Sequence, residues 1–210
     1  MTRDQANKNT STAGKTAIVA GATGLVGREL VHQLSANPAY SQVIALTRRT
    51  GMFTSMINVI EQPFPQGSDS LIADEFYCAL GTTIKKAGSQ VAFHGTDHDL
   101  VLDLAKRCKN GGVTRVVVVT AIGSDLNSPF FYSKVKGETE RDLKSLNLPK
   151  LEIYQPSLLL GKRDEFRLGE KVGEFFAAIL SPVFVGSLTK YRPIHAADLA
   201  RKMIMGEPIS

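Results

Sequence analysis

The sequence predicts an α/β protein built as a doubly wound parallel sheet with a small C-terminal cap. Three features carry that reading. Strand and helix patterns alternate from end to end, as they do where helices cover both faces of a parallel sheet. A glycine-rich turn follows the first strand-like run and opens the first helical one. Arg115 to Thr120 is an unbroken β-rich run, the pattern of a central strand buried on both faces. The 210 residues suffice for one domain with a full hydrophobic core.

Taken in order, residues 1–14 are polar, rich in Thr, Asn and Lys, and are expected to form a disordered tail. Residues 15–210 are expected to form one domain. Ala17 to Ala20 reads as a buried strand, and Val26, Leu30 and Leu34 then recur at the spacing of one helix face. Gln42 to Leu46 reads as a second strand, Ile57 to Ile60 as a short third, and Glu75 to Leu80 as a fourth closed by Gly81-Thr-Thr83. A helix is predicted over Asp97 to Cys108, with Leu100, Val101, Leu104, Ala105 and Cys108 on one face and Gly111-Gly112 ending it. After the central fifth strand, Phe130 to Leu146 has helical character, and Leu151 to Leu160 contains a sixth strand interrupted by Pro156. Helices near Gly169 to Leu180 and Ala196 to Met205 are expected to build a substrate cap, from about residue 161 onward, over the sheet's carboxyl edge.

Composition narrows the function. The net charge of +5 is modest and its basic residues are scattered, without an aromatic-studded stripe, which argues against nucleic acid as a partner. No run is long and apolar enough for a membrane span or a signal peptide. Cys78 and Cys108 both fall inside predicted elements, so a disulfide framework is not expected and a cytoplasmic location is. No His/Cys cluster shows metal-ligand spacing, so no metal is expected. Association into a homo-oligomer is left open.

The residues that point to chemistry lie at strand ends. Gly21-Ala-Thr-Gly-Leu-Val-Gly27 is a turn in which a phosphate can approach the backbone and meet the unpaired N–H groups of a helix. Its members Gly21, Thr23, Gly24, Leu25, Val26 and Gly27 are the expected dinucleotide contacts, the alternative being an ordinary glycine turn. It lacks the Gly-Lys-Ser/Thr ending of a triphosphatase loop. The second strand ends in Thr47-Arg48-Arg49; arginines there suit the 2′-phosphate of NADP, where NAD would call for a carboxylate. Arg28 offers a third positive charge, and a solvated basic turn is the competing reading. Tyr132 and Lys136 are spaced i, i+4, on one helix face, and a nearby ammonium favours phenolate, lowering the pKa of Tyr132 toward neutrality. A surface tyrosine beside a solvated lysine is the alternative. Thr120 ends the central strand where a hydroxyl can stabilise charge on a substrate carbonyl, with Ser124 as the fallback. His195 and Asp198 read as structural residues at a helix start, and Arg163, Arg167 and Glu170 as pocket lining or a charged loop.

In this order, glycine turn, central strand and Tyr-x-x-x-Lys helix resemble the short-chain dehydrogenase/reductase superfamily. Cys78-Ala-Leu-Gly-Thr-Thr-Ile-Lys-Lys-Ala-Gly88, Phe131-Tyr-Ser-Lys-Val-Lys-Gly-Glu138 and the segment from Gly161 to Glu170 are similar to its Tat-interacting-protein-like group of atypical members. The resemblance spans residues 16 to about 200. It implies a Rossmann fold with NADP(H) across the carboxyl edge, Tyr132 as proton donor and Lys136 as ribose ligand and pKa modifier. It also implies Gly81 and Thr82 beside the adenosine half of the cofactor, and Pro156 at the cofactor site. The chain departs from the group at Thr120-Ala121, where members often carry Ser-Ser, and at Gln155-Pro156, where larger relatives carry Arg-Pro. The expected function is an NADP(H)-dependent oxidoreductase acting on a small carbonyl or alcohol. A non-enzymatic NADPH-binding sensor or regulator, and an isomerase or epimerase with tightly held cofactor, are the other readings.

Overall fold

Six strands, β1 (Lys15–Ala20), β2 (Tyr40–Leu46), β3 (Val59–Gln62), β4 (Glu75–Cys78), β5 (Arg115–Val119) and β6 (Leu151–Tyr154), form one parallel sheet in the order β3-β2-β1-β4-β5-β6. The structure, a computed structural model, describes residues 14–67, 69–161 and 192–209. Strand order reverses between β1 and β4, the switch point where open α/β sheets bind ligands beyond their carboxyl ends. Register levels those ends: Ala20 pairs with both Leu46 and Cys78, Cys78 with Val118, and Val119 with Tyr154. Gly21, Thr47, Ala79, Thr120 and Gln155 therefore leave the sheet in one row.

The helices are α1 (Leu25–Ala36), α2 (Ile84–Ala87), α3 (Gln90–His94), α4 (Leu100–Asn110), α5 (Phe131–Ser145) and α6 (Ala196–Met205); one π-helical turn, Gly95–Asp99, joins α3 to α4. Alternation along the strands divides the core. Ala17, Val19, Val43, Tyr77 and Val117 pack with Leu30 and Leu34 of α1 and Leu199 and Met203 of α6. Ile18, Ala20, Ile44, Phe76, Val116 and Val118 face the other way, toward Val101, Leu104 and Cys108 of α4 and Leu143 of α5. Both faces are covered, as the unbroken apolar runs require. No described helix is long and apolar enough to cross a membrane.

Several boundaries differ from the sequence expectation. The third strand lies at Val59–Gln62, and the fourth stops at Cys78 because Ala79, though its N–H still bonds Ala20 O, leads into the Gly81 turn. The sixth strand ends before Pro156; Leu159–Leu160 is a separate strand, β7, pairing with β8 (Ile194–His195) outside the main sheet. Helix α6 buries Ala196, Leu199, Ala200 and Met203 and so covers a sheet face beside α1 rather than the carboxyl edge. The remainder of the expected cap, including Arg163, Arg167, Glu170 and the helix near 169–180, lies outside the described residues, as does the N-terminal tail up to residue 13.

A buried polar network fastens α6 at the opposite, amino edge. Arg115 donates to the carbonyls of Met203 (2.6 Å) and Ile204 (3.3 Å) at the helix end, and pairs with Glu75 (3.1 Å) and Glu152 (2.7 Å). Glu75 also accepts from Lys15 (2.8 Å), Tyr40 (2.8 Å) and Tyr77 (2.5 Å). Burial works to raise the Glu75 pKa, but hydrogen bonds from Lys15, Tyr77 and Tyr40 and the Arg115 charge outweigh it, bringing it down to about 2.

Candidate active site

The carboxyl edge opens on the glycine turn. Gly21 takes φ +79°, a left-handed conformation that suits glycine, and its carbonyl accepts from Gly24 N–H at 2.9 Å. A Cβ on Gly21 would meet Ala79 O at 2.5 Å, and one on Gly27 would overlap the Gly21 carbonyl, so both positions exclude a side chain. Gly24 caps α1 without a side-chain hydrogen bond, and the first helical turn holds no acidic residue. The N–H groups of the first turn, at Leu25, Val26 and Gly27, are thus left for an anion. Thr23 lies in the same turn. At the end of β2, Thr47 is 2 % exposed and its hydroxyl has no hydrogen-bond partner among the described residues. Arg48 and Arg49 follow it, both exposed, and neither forms an ion pair among the described residues.

Across the switch point, Tyr132 and Lys136 share one face of α5, with the Lys136 Nζ 6.0 Å from the Tyr132 ring centroid. The sequence reading missed their third partner, Asp97. Its side chain is fully buried, with Oδ1 2.7 Å from Lys136 Nζ and Oδ2 accepting from Thr82 N–H at 3.0 Å. Thr139 of α5 donates to the Asp97 carbonyl at 3.0 Å, fixing the π turn on the helix. A Cβ on Gly81 would lie 3.6 Å from Asp97 Oδ1 and 4.0 Å from Lys136 Nζ, which places Gly81 and Thr82 against this pair. Beneath Tyr132, the buried ring of Phe93 packs at 5.5 Å.

These contacts reverse one electrostatic expectation. Burial raises the Tyr132 pKa; the Lys136 charge opposes this and Asp97 adds to it, so the net shift is upward and the hydroxyl stays a phenol at neutral pH. Burial works to discharge Lys136, but the Asp97 carboxylate, aided by Tyr132, outweighs it and keeps the ammonium above its ordinary range.

Thr120, where a hydroxyl is expected to face substrate, donates to Glu140 Oε1 at 2.6 Å, and Gln155 donates to the same carboxylate at 2.8 and 3.0 Å. Ser124 donates to Ala121 O at 2.7 Å. The loop carrying them reaches close to α5 because Gly137 is bare: a Cβ there would meet the Asp125 backbone at 2.6 Å. A glycine inside a helical pattern was the signal available for that approach. Ile122 N–H bonds Pro156 O at 3.1 Å, joining the loops after β5 and β6. His195 is exposed at the start of α6 and Asp198 lies in its first turn. Cys78 is buried and its thiol is pushed up to about 11, which leaves it inert.

Among the described residues, metal-ligating residue types meet at one place outside this cluster. His94 and His98, four residues apart across the π turn, come together with Asp99, their ligand-capable atoms all within 4.8 Å. A further groove, lined by Lys144, Asn147, Leu148, Leu151 and Ile153, lies at the amino edge, away from the glycine turn.

No family model matches the chain. Among curated proteins it is 34 % identical over 174 residues to the mitochondrial protein fmp52 of Emericella nidulans, covering 78 % of this chain and 75 % of that one. It is 33 % identical over 208 residues to mitochondrial FMP52 of Candida albicans, covering 90 % and 89 %. These names overturn the cytoplasmic expectation: buried, unpaired cysteines fit any reducing compartment and do not single out the cytoplasm. Among solved structures, MoeE5 in complex with UDP-glucose and NAD aligns with a TM-score of 0.65 at 18 % identity, over 90 % of this chain and 71 % of that one. The Bordetella bronchiseptica enzyme WbmH in complex with NAD+ gives 0.64 at 16 %, over 91 % and 72 %. That likeness establishes a Rossmann-like fold, and the level of identity to the curated relatives places the chain in the FMP52 family.

Proposed function

We propose that this chain is a mitochondrial oxidoreductase of the short-chain dehydrogenase/reductase type that uses NADP(H) on a small carbonyl or alcohol. In this reading residues 15–210 form a single dinucleotide-binding domain whose substrate cap begins at about residue 161, α6 excepted, and the finer kinship is with the Tat-interacting-protein-like group. The observation that carries it is the Tyr132–Lys136–Asp97 cluster, set at the carboxyl edge across the switch point from the glycine turn.

The residues fit the cofactor. Backbone N–H groups of Leu25, Val26 and Gly27 would hold the pyrophosphate, the orphaned Thr47 hydroxyl and Arg48 and Arg49 the adenosine ribose and its 2′-phosphate, and Gly81, Thr82 and Pro156 the neighbouring walls. The cofactor supplies the hydride chemistry. Tyr132, held as a phenol by burial, donates a proton from its hydroxyl to the substrate oxygen during carbonyl reduction. Lys136, kept charged by Asp97, would stabilise the phenolate that remains and would hold the cofactor's ribose through its other N–H groups. Thr120, positioned by Glu140, retains acceptor capacity toward a substrate hydroxyl. That same bond favours the second reading, a sensor of NADPH, because it commits the donor hydrogen that would otherwise polarise a carbonyl.

Cofactor choice tests the proposal. Arg48→Ala with Arg49→Ala is expected to cost NADPH about 1.5–3 kcal/mol of binding and NADH little, since only NADPH offers a charged phosphate. Titrations with both cofactors read the difference. Equal losses for the two would remove the phosphate assignment.

A further inference from the structure

Outside the dinucleotide site, α3 and the π turn bring two imidazoles and a carboxylate to one point. Asp99 Oδ1 lies 3.2 Å from His94 Nδ1 and 2.7 Å from His98 Nδ1, and the two rings are 4.4 Å apart at their centroids. The other edge of each ring faces α5: His94 Nε2 is 3.7 Å from Glu138 Oε2, and His98 Nε2 is 3.0 Å from Asp142 Oδ2. Arg141 in turn grips Asp142, at 2.6 and 2.9 Å. A neutral imidazole has one N–H to give. With their Nε2 edges facing Glu138 and Asp142, both Nδ1 atoms converge on the same Asp99 oxygen, an arrangement that suits a cation between them.

We propose that His94, His98 and Asp99 bind a divalent transition-metal ion of the zinc class. Two imidazole nitrogens and one carboxylate oxygen are a common zinc donor set, and imidazoles backed by carboxylates are the usual surrounding of such an ion. Tetrahedral bonds of about 2.0–2.1 Å set ligand atoms about 3.3 Å apart; the two His–Asp99 separations are 2.7 and 3.2 Å and all ligand-capable atoms lie within 4.8 Å, so side-chain rotation closes the set on one ion. The Asp99 side chain is 61 % exposed, which leaves the fourth position to water. All three ligands flank or belong to the turn that carries Asp97, so the ion would clamp that turn in place. The site stands on its own geometry and does not depend on the activity of Tyr132.

The test is calorimetric titration of zinc chloride into the full chain, free of any affinity tag and stripped with chelator. One ion per chain is expected, with His94→Ala and His98→Ala each weakening binding at least tenfold. Glu138→Gln with Asp142→Asn should weaken it about 10- to 100-fold through loss of the carboxylates behind the ligands. Cobalt(II) in place of zinc should give the visible bands of a four-coordinate ion, lost in His98→Ala. Thermal melts check the fold of each variant, and the exposed Asp99→Asn reads the same site should a histidine variant not fold. A wild-type chain that binds no zinc, or binding that survives both histidine substitutions in folded protein, would overturn the proposal.

Discussion

Tyr132 and Lys136 share a helix face, but their chemistry is set by Asp97, a residue far from them in sequence. The carboxylate and the ammonium are both buried 2.7 Å apart, and the Asp97 carboxylate keeps Lys136 charged. Asp97→Asn leaves the Lys136 ammonium without its partner and is expected to destabilise the fold by about 3–5 kcal/mol, measurable by urea unfolding. Adding Lys136→Met should restore much of that loss, because no unpaired charge then remains. A double variant as unstable as Asp97→Asn would show that Asp97 acts through its bond to Thr82 instead. The i, i+4 spacing of Tyr132 and Lys136 was readable in the sequence. Asp97 was not, since the sequence counted it as an ordinary first-turn residue of a helix and a π turn leaves no periodic trace. The same turn hides the meeting of His94, His98 and Asp99.

At the level of elements, the glycine turn was legible because each glycine answers a local requirement: positive φ at Gly21, an open helix start at Gly24, and close packing of α1 at Gly27. Gly24 and Gly27 should respond differently. Gly27→Ala puts a methyl group into the Gly21 carbonyl and is expected to cost about 1–3 kcal/mol of stability together with cofactor binding. A Cβ on Gly24 would meet the Gly21 oxygen at 3.2 Å and Ala79 O at 4.0 Å, so in Gly24→Val the fold should largely survive while dinucleotide binding is lost. Thermal melts alongside NADPH titration separate the two; a folded Gly24→Val chain with wild-type affinity would place the site elsewhere. The short β7–β8 pair escaped prediction, because two-residue strands meeting across a long stretch of chain carry too little pattern to mark a partner.

For the whole molecule, one buried network ties the amino edge of the sheet to the end of α6, and it gives stability a pH signature. The Glu75 pKa is lowered on folding from 4.5 to about 2, so its contribution is complete above the unfolded value and is lost as pH falls from there toward about 2. Arg115→Met should remove about 3–5 kcal/mol at neutral pH by leaving Glu75 buried beside fewer charges, and should flatten this acid slope; urea unfolding at several pH values reads both. The alternating elements and the apolar β5 run made the fold readable, since a parallel sheet must bury both faces. The order of the strands and the levelling of their carboxyl ends then bring the glycine turn and the Tyr132 helix to one edge. We propose that this edge performs proton transfer through Tyr132. Its most direct test compares Tyr132→Phe with wild type in turnover of a carbonyl substrate, followed by NADPH absorbance, and in NADPH affinity. Turnover is expected to fall roughly 10²-fold or more with affinity nearly unchanged; a Tyr132→Phe protein as active as wild type would exclude proton transfer by this hydroxyl.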